Sequence, residues 1–146
     1  MIQRIQTLYI VLAMGCSALL YFIPVWNPMP DTDFIGQWPF GISASTHVYL
    51  LILLIIMGVA QLLSLLLFMN QKAQGYMVFI CRLLALLYFG LGIMITWSQR
   101  EGFAGLDFKE IGWGNLIPFV VVILLYIAGQ KIKGDEALLE DMDRMR

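Results

Sequence analysis

The chain has 146 residues, of which 60% are hydrophobic and only 13% charged, with a mean hydropathy of +0.81. An average soluble domain carries about a quarter charged residues. Here the charges sit in short clusters between long apolar runs, which excludes a disordered chain, a nucleic-acid binder and an ordinary soluble globule. The formal net charge of −1 leaves no overall field to select a partner.

Backbone groups in lipid must be satisfied internally. Apolar stretches of roughly 17–25 residues, long enough for a hydrocarbon core about 30 Å thick, therefore become helices. Four stretches qualify: 7–23, 48–69, 76–97 and 116–130. In the first, Ala13-Met14-Gly15-Cys16 loosely resembles a lipoprotein signal with Cys16 as the acylated residue. Leu12 stands one position too far from the cysteine, and the apolar run continues through Ile23, so this helix is expected to be retained. The second stretch has only Gln61 and Ser64 as clearly polar residues, and the third contains Arg82. The fourth is short, roughly 23 Å, and is expected to borrow length from Trp113. Pro118 is expected in its first turn behind Asn115 as cap, where a missing N–H costs little.

The connections differ in character. Residues 24–46 hold Pro24, Pro28, Pro30 and Pro39, two aspartates and no Lys or Arg; 70–75 reads as a tight polar turn carrying Lys72; 98–115 is Gly-rich. No internal repeat or low-complexity segment occurs. With four spans both termini share a side, where Arg4, Lys72, Lys131, Lys133, Arg144 and Arg146 outnumber Arg100 and Lys109 opposite. The positive-inside rule then puts both termini in the cytoplasm. Trp26, Trp38, Trp97 and Trp113 fall at the expected outer boundary, and Tyr9, Tyr76 and Tyr126 near the inner one, as an interfacial belt would. A Trp-lined ligand site in the outer loops is the sharper alternative.

Little in the chain points to catalysis. Cys16 and Cys81 are far apart, without the C-x-x-C pair that resolves mixed disulfides, so both read as packing residues. His47 is the sole histidine, too few for a bis-His haem or a zinc set. No Asp or Glu lies within a span, which argues against a proton-driven exporter. Asp31, Asp33, Asp107 and Glu110 lack the spacing for acid–base or calcium chemistry, and no phosphate loop or nucleophile elbow occurs. The expectation is a protein with no catalytic residues, no metal and no cofactor.

Two intramembrane polar residues stand out as interaction candidates. Arg82 lies six residues past Tyr76, roughly 9 Å deep, within snorkelling reach of the headgroups; a defined pairing with another helix or subunit is the alternative. Gln61 must find a hydrogen-bond partner across helices. Ala60 with Ser64, and Ala13 with Ser17, share the small-x-x-x-small spacing of close helix contacts.

Residues 131–146 differ from the membrane domain, 1–130. Leu138, Leu139, Met142 and Met145 recur at helical spacing and give the tail a narrow apolar stripe, with Asp135 as a candidate cap. Five acids make a purely lipid-bound tail unfavourable against an anionic leaflet. The stripe therefore reads as a docking face for a partner protein, and a topology-fixing flank is the plainer alternative.

The opening Met1-Ile2-Gln3-Arg4-Ile5-Gln6-Thr7 and the closing Lys133-Gly134-Asp135-Glu136-Ala137-Leu138, then Asp143-Arg144-Met145-Arg146, resemble a Bacteroidota family of four-span membrane proteins classed as a domain of unknown function. The likeness covers the whole chain in layout and is specific at the two ends. It implies an inner-membrane location, four helices and no assigned catalytic residues. Gly134 stands where a second basic residue would be expected.

The combined expectation is an all-α, multi-pass inner-membrane protein with four transmembrane helices, N-in and C-in. Its function is read as a non-enzymatic accessory or scaffold subunit, with membrane lipid and another inner-membrane protein as partners and no nucleic acid. A small transporter or channel component is the first alternative, with Gln61, Ser64, Ser17 and Thr96 as the polar lining on offer; a quinone-linked redox subunit is the second.

Overall fold

The computed structural model describes residues 3–25, 42–67, 70–99 and 112–144. Among these, four α-helices follow one another: α1 (Gln3–Leu19), α2 (Val48–Leu66), α3 (Gln71–Gln99) and α4 (Ile117–Arg144), with a 3-10 turn at Trp113–Asn115 leading into α4. The helices pack in chain order, α1 on α2, α2 on α3 and α3 on α4, and α1 returns against α4. Three segments are long and apolar enough to cross a membrane: Val48–Leu66, Gln71–Ile95 and Trp113–Asp135. The chain is therefore an all-helical protein with three candidate spans and a shorter apolar helix, Ile5–Leu19.

That shorter helix ends early for a local reason. Beyond Leu19 the backbone tightens into three-residue turns, Leu20 N–H to Ser17 O, Tyr21 N–H to Ala18 O and Phe22 N–H to Leu19 O. Pro24 follows, and a proline disfavours helical geometry in the residue before it. The apolar run 7–23 is thus a helix plus a tightened coil rather than one regular helix.

Two helices exceed their apolar runs. α3 starts at Gln71, so Lys72 and Gly75 lie in its first turns instead of in a polar turn spanning 70–75. Asn70 supplies the cap: its Oδ1 accepts from Ala73 N–H at 3.3 Å and its carbonyl from Gln74 N–H at 2.9 Å. Gln, Lys and Ala are good helix formers, so the capped polar segment winds readily. α4 continues through Lys131, Gly134 and Asp135 to Arg144 without a break, about 42 Å of helix. The apolar segment begins ahead of α4, at Trp113 in the 3-10 turn, as the short fourth run requires, and Pro118 falls in the first turn of α4.

The core is a continuous apolar cluster drawn from all four helices, including Ile10 and Ala13 of α1, Leu50 and Met57 of α2, Val78, Cys81 and Tyr88 of α3, and Val121, Leu125 and Ala128 of α4. Large apolar side chains also cover the outside: Phe22, Tyr49, Leu66, Tyr76 and Met94 are all exposed. An assembly apolar both within and without is what lipid surroundings permit and water does not.

At the end away from the termini, residues 24–25 act as a strap. Val25 N–H donates to Ile42 O at 2.7 Å, Gly112 N–H to Val25 O at 3.0 Å and Gly114 N–H to Pro24 O at 3.0 Å. Asn115 adds Nδ2 to Val25 O at 2.7 Å, so its side chain ties two segments together instead of capping α4. A Cβ on Gly114 would lie 2.6 Å from Pro24 O, and one on Gly92 2.7 Å from Val25 Cγ1. Those glycines let α3, the strap and the entry to α4 approach closely. At the opposite end Gln6, nearly fully buried, donates from Nε2 to Asp135 Oδ2 and joins the start of α1 to the late part of α4.

Candidate functional site

Besides the Gln6 and Asn115 contacts at the two ends, polar side chains within the helices gather in two places on different helix pairs. The first joins α1 and α2. Gln61, fully buried, donates from Nε2 to Ser17 Oγ at 2.9 Å, and Ser17 Oγ donates to Ala13 O at 2.8 Å. Gln61 thus has the interhelical partner that its intramembrane position requires, on the faces where Ala13, Ser17, Ala60 and Ser64 are all buried. Gln61 Oε1 and Ser64 Oγ are buried without a hydrogen-bond partner, as is Tyr88 OH on α3. A buried polar group without a partner costs about 1–3 kcal/mol, so these atoms mark strain or a place for water.

The second group lies between α3 and α4, around Arg82, about 16 Å along α3 from its start. Its guanidinium stands 5.4 Å from the Phe79 ring centre and 5.8 Å from that of Tyr126. Such cation–ring contacts contribute about 0.5–2 kcal/mol, more when desolvated. Tyr126 OH in turn accepts from Gln130 Nε2 at 2.9 Å. Arg82 Nε is buried and has no hydrogen-bond partner. The side chain faces a cavity of about 490 Å³ whose rim carries Gln71, Lys72 and Lys133, with no acid among the described residues that line it. On its other side Arg82 borders an apolar hollow of about 360 Å³ lined by Leu83, Leu86, Val122 and Ile123. Arg82 thus lines the same cavity as Lys72 and Lys133, and its guanidinium stands beside rings from two helices.

The remaining candidates are more dispersed. Leu138, Leu139 and Met142 lie on the last turns of α4, and Met145 falls outside the described residues. Asp135, read as a cap, instead sits within α4 and accepts from Gln6. His47 is the N-terminal boundary residue of α2 and makes no side-chain capping bond there. Cys81 is buried and Cys16 half-buried, both with free thiols. Among the described residues no group of three His, Cys, Asp or Glu side chains could hold a metal ion. Trp113 is largely exposed at the strap end; Trp26 and Trp38 lie outside the described residues.

Three contacts carry no signal in the sequence. Gln6 with Asp135, Asn115 with Val25 and Tyr126 with Arg82 each join residues far apart in the chain. Only the spacing of Gln61 and Ser17 beside small residues hinted at such pairing.

No curated protein and no solved structure matches the chain. A family model does, over residues 2–145, nearly the full length whose two ends carry the likeness noted above. The chain belongs to that family, DUF4293, a domain of unknown function.

Proposed function

We propose that the chain is a four-span inner-membrane protein, N-in and C-in, acting as a non-enzymatic accessory or scaffold subunit of a membrane assembly. The observation that carries this reading is how the buried polar side chains are used. Gln6 with Asp135, Gln61 with Ser17 and Asn115 with Val25 each fasten one segment of the chain to another. They act as struts in an apolar interior, and the outside is left apolar for lipid or a partner helix. The fourth span is α1 with its coiled extension: Gln6 meets α4 at Asp135 and Val25 meets its entry turn, so this stretch runs alongside the apolar segment Trp113–Asp135. The basic residues near the ends of the spans support the inward termini. On this reading the last turns of α4, with Leu138, Leu139 and Met142, emerge on the cytoplasmic side as the docking element.

Affinity purification of the full chain in mild detergent tests the role. Defined partner subunits in fixed ratio are expected, and a protein recovered alone from native membranes overturns it. Labelling of single cysteines placed at 31–37 and at 70–75 tests the orientation, with only the first expected to react from outside. A transporter or channel component is the second reading, favoured by the unpartnered Gln61 Oε1 and Ser64 Oγ inside the helices. Solute flux in liposomes holding the purified protein would decide for it.

A further inference from the structure

We infer that the groove between α3 and α4 binds an anionic phospholipid, with the phosphodiester held among Arg82, Lys72 and Lys133 and one acyl chain laid along Leu83, Val122 and Ile123. The inference rests on the chain being embedded in a membrane with its termini inward, as proposed above, and not on its accessory role.

The groove is amphipathic in the way a lipid is. Its polar half, about 490 Å³, carries Lys72, Arg82 and Lys133 and no acid among its described lining. Its apolar half, about 360 Å³, follows along the same two helices. Phe79 and Arg82 line both halves, so the charge stands at the junction where a headgroup meets its chain. A soluble anion would use only the first half and a neutral chain only the second.

Arg82 is arranged to receive a phosphate. The Phe79 and Tyr126 rings flank the guanidinium, and its Nε is buried with no protein partner. Guanidinium donors form a planar fork that matches two phosphate oxygens, and a charge-assisted bond of this kind is stronger than a neutral one. Room for the headgroup comes from two glycines in the lining, Gly75 on α3 and Gly129 on α4. A Cβ on Gly129 would stand 3.7 Å from an Arg82 terminal nitrogen and 3.7 Å from Val78, and any longer side chain would reach into the cavity. Gly75 faces Ile132 in the same wall. The polar half of the groove lies at the end of the assembly where α1 and α3 start, with Lys133 two residues from the Asp135 contact with Gln6. With the termini in the cytoplasm, this is the leaflet in which anionic lipids concentrate, and basic pockets between helices there recognise lipid headgroups.

Native mass spectrometry of the full chain in non-ionic detergent tests the site, titrated separately with phosphatidylglycerol, with phosphatidylcholine of the same chains and with inorganic phosphate. One retained phosphatidylglycerol is expected, preferred over phosphatidylcholine by roughly tenfold, and not displaced by millimolar phosphate. The double variant Lys72→Gln with Lys133→Gln changes two exposed side chains that leave the core intact. It should lose that preference. Gly129→Leu should lower retention of the lipid while leaving all three cations in place. Equal retention of the two lipids overturns the proposal, as does an unchanged preference in the lysine variant. Displacement by inorganic phosphate would make this a free-anion site and overturn the lipid assignment. Partner recovery can fail without affecting any of these readouts, so the two ideas stand or fall separately.

Discussion

Gln61 Nε2 donates to Ser17 Oγ at 2.9 Å, and that same hydroxyl donates onward to Ala13 O at 2.8 Å, so a buried amide on α2 is fastened through one side chain to the backbone of α1. The two ends of this contact are not equivalent. Ser17 keeps its bond to Ala13 if Gln61 is removed, whereas Gln61 loses its only described partner if Ser17 is removed. Gln61→Met also eliminates an amide oxygen that is already unpartnered. Ser17→Ala is therefore expected to destabilise the protein by about 1–2 kcal/mol and Gln61→Met by less than about 1 kcal/mol. Unfolding in mixed micelles measures both; the reverse order would show that the strut is not what the amide contributes.

The strap at Pro24–Val25 predicts a contrast between glycines. Gly114→Ala brings a methyl group to 2.6 Å from the Pro24 carbonyl oxygen, which is backbone and cannot swing aside. Gly58, within α2, has nothing within 4 Å of its Cβ position. Gly58→Ala should be neutral or stabilising by up to about 1 kcal/mol, because it relieves the entropy cost of a helical glycine. Gly114→Ala should lower both melting temperature and folded yield, read by fluorescence-detected size exclusion.

Arg82 and Tyr126 should be energetically coupled. A double-mutant cycle with Arg82→Gln and Tyr126→Leu is expected to give about 0.5–1 kcal/mol, the scale of a partly desolvated cation–ring pair. A coupling near zero would mean that the ring is only a neighbour of the charge.

Two truncations separate the ends of α4 by function. Removing everything after Asp135 leaves the Gln6 contact in place and should preserve stability while reducing partner recovery. Removing everything after Lys133 also takes away the carboxylate and leaves a buried amide without its acceptor. That chain should lose a further 1–3 kcal/mol or so. Equal stability of the two would remove Asp135 from the fold, and unchanged partner recovery in both would leave the tail as a flank only.

Much of this architecture is legible in hydropathy, for a definite reason. Long apolar runs have few structural options in lipid, so α2 begins at Val48 where its run begins, the run 76–97 lies within α3, and the run 116–130 lies within α4 from its second residue on. Hydropathy says nothing about polar helix. The extension of α3 back to Gln71 depends on the Asn70 cap, and that of α4 to Arg144 on helix propensity past the last apolar turn. Nor does it report close approach: Gly112 and Gly114 read as loop residues, and their role at Pro24 is visible only once the two segments are side by side. The candidate groove was half visible. Arg82 stands out as a charge in an apolar run, but Lys133 and Tyr126 of α4 are brought to it by helix packing, which no local pattern encodes, and Lys72 joins it through the polar extension of α3.

The strap also sets an order of events during synthesis. Asn115 reaches back 90 residues to Val25, and Asp135 reaches back 129 to Gln6. At about 5–20 residues per second, the Val25 carbonyl waits on the order of 5–20 s for the side chain that binds it. Through that interval the nascent chain presents an open seam where α4 will lie. The fourth of the described helices is thus the one that closes the seam, and a chain arrested before Asn115 would keep it open.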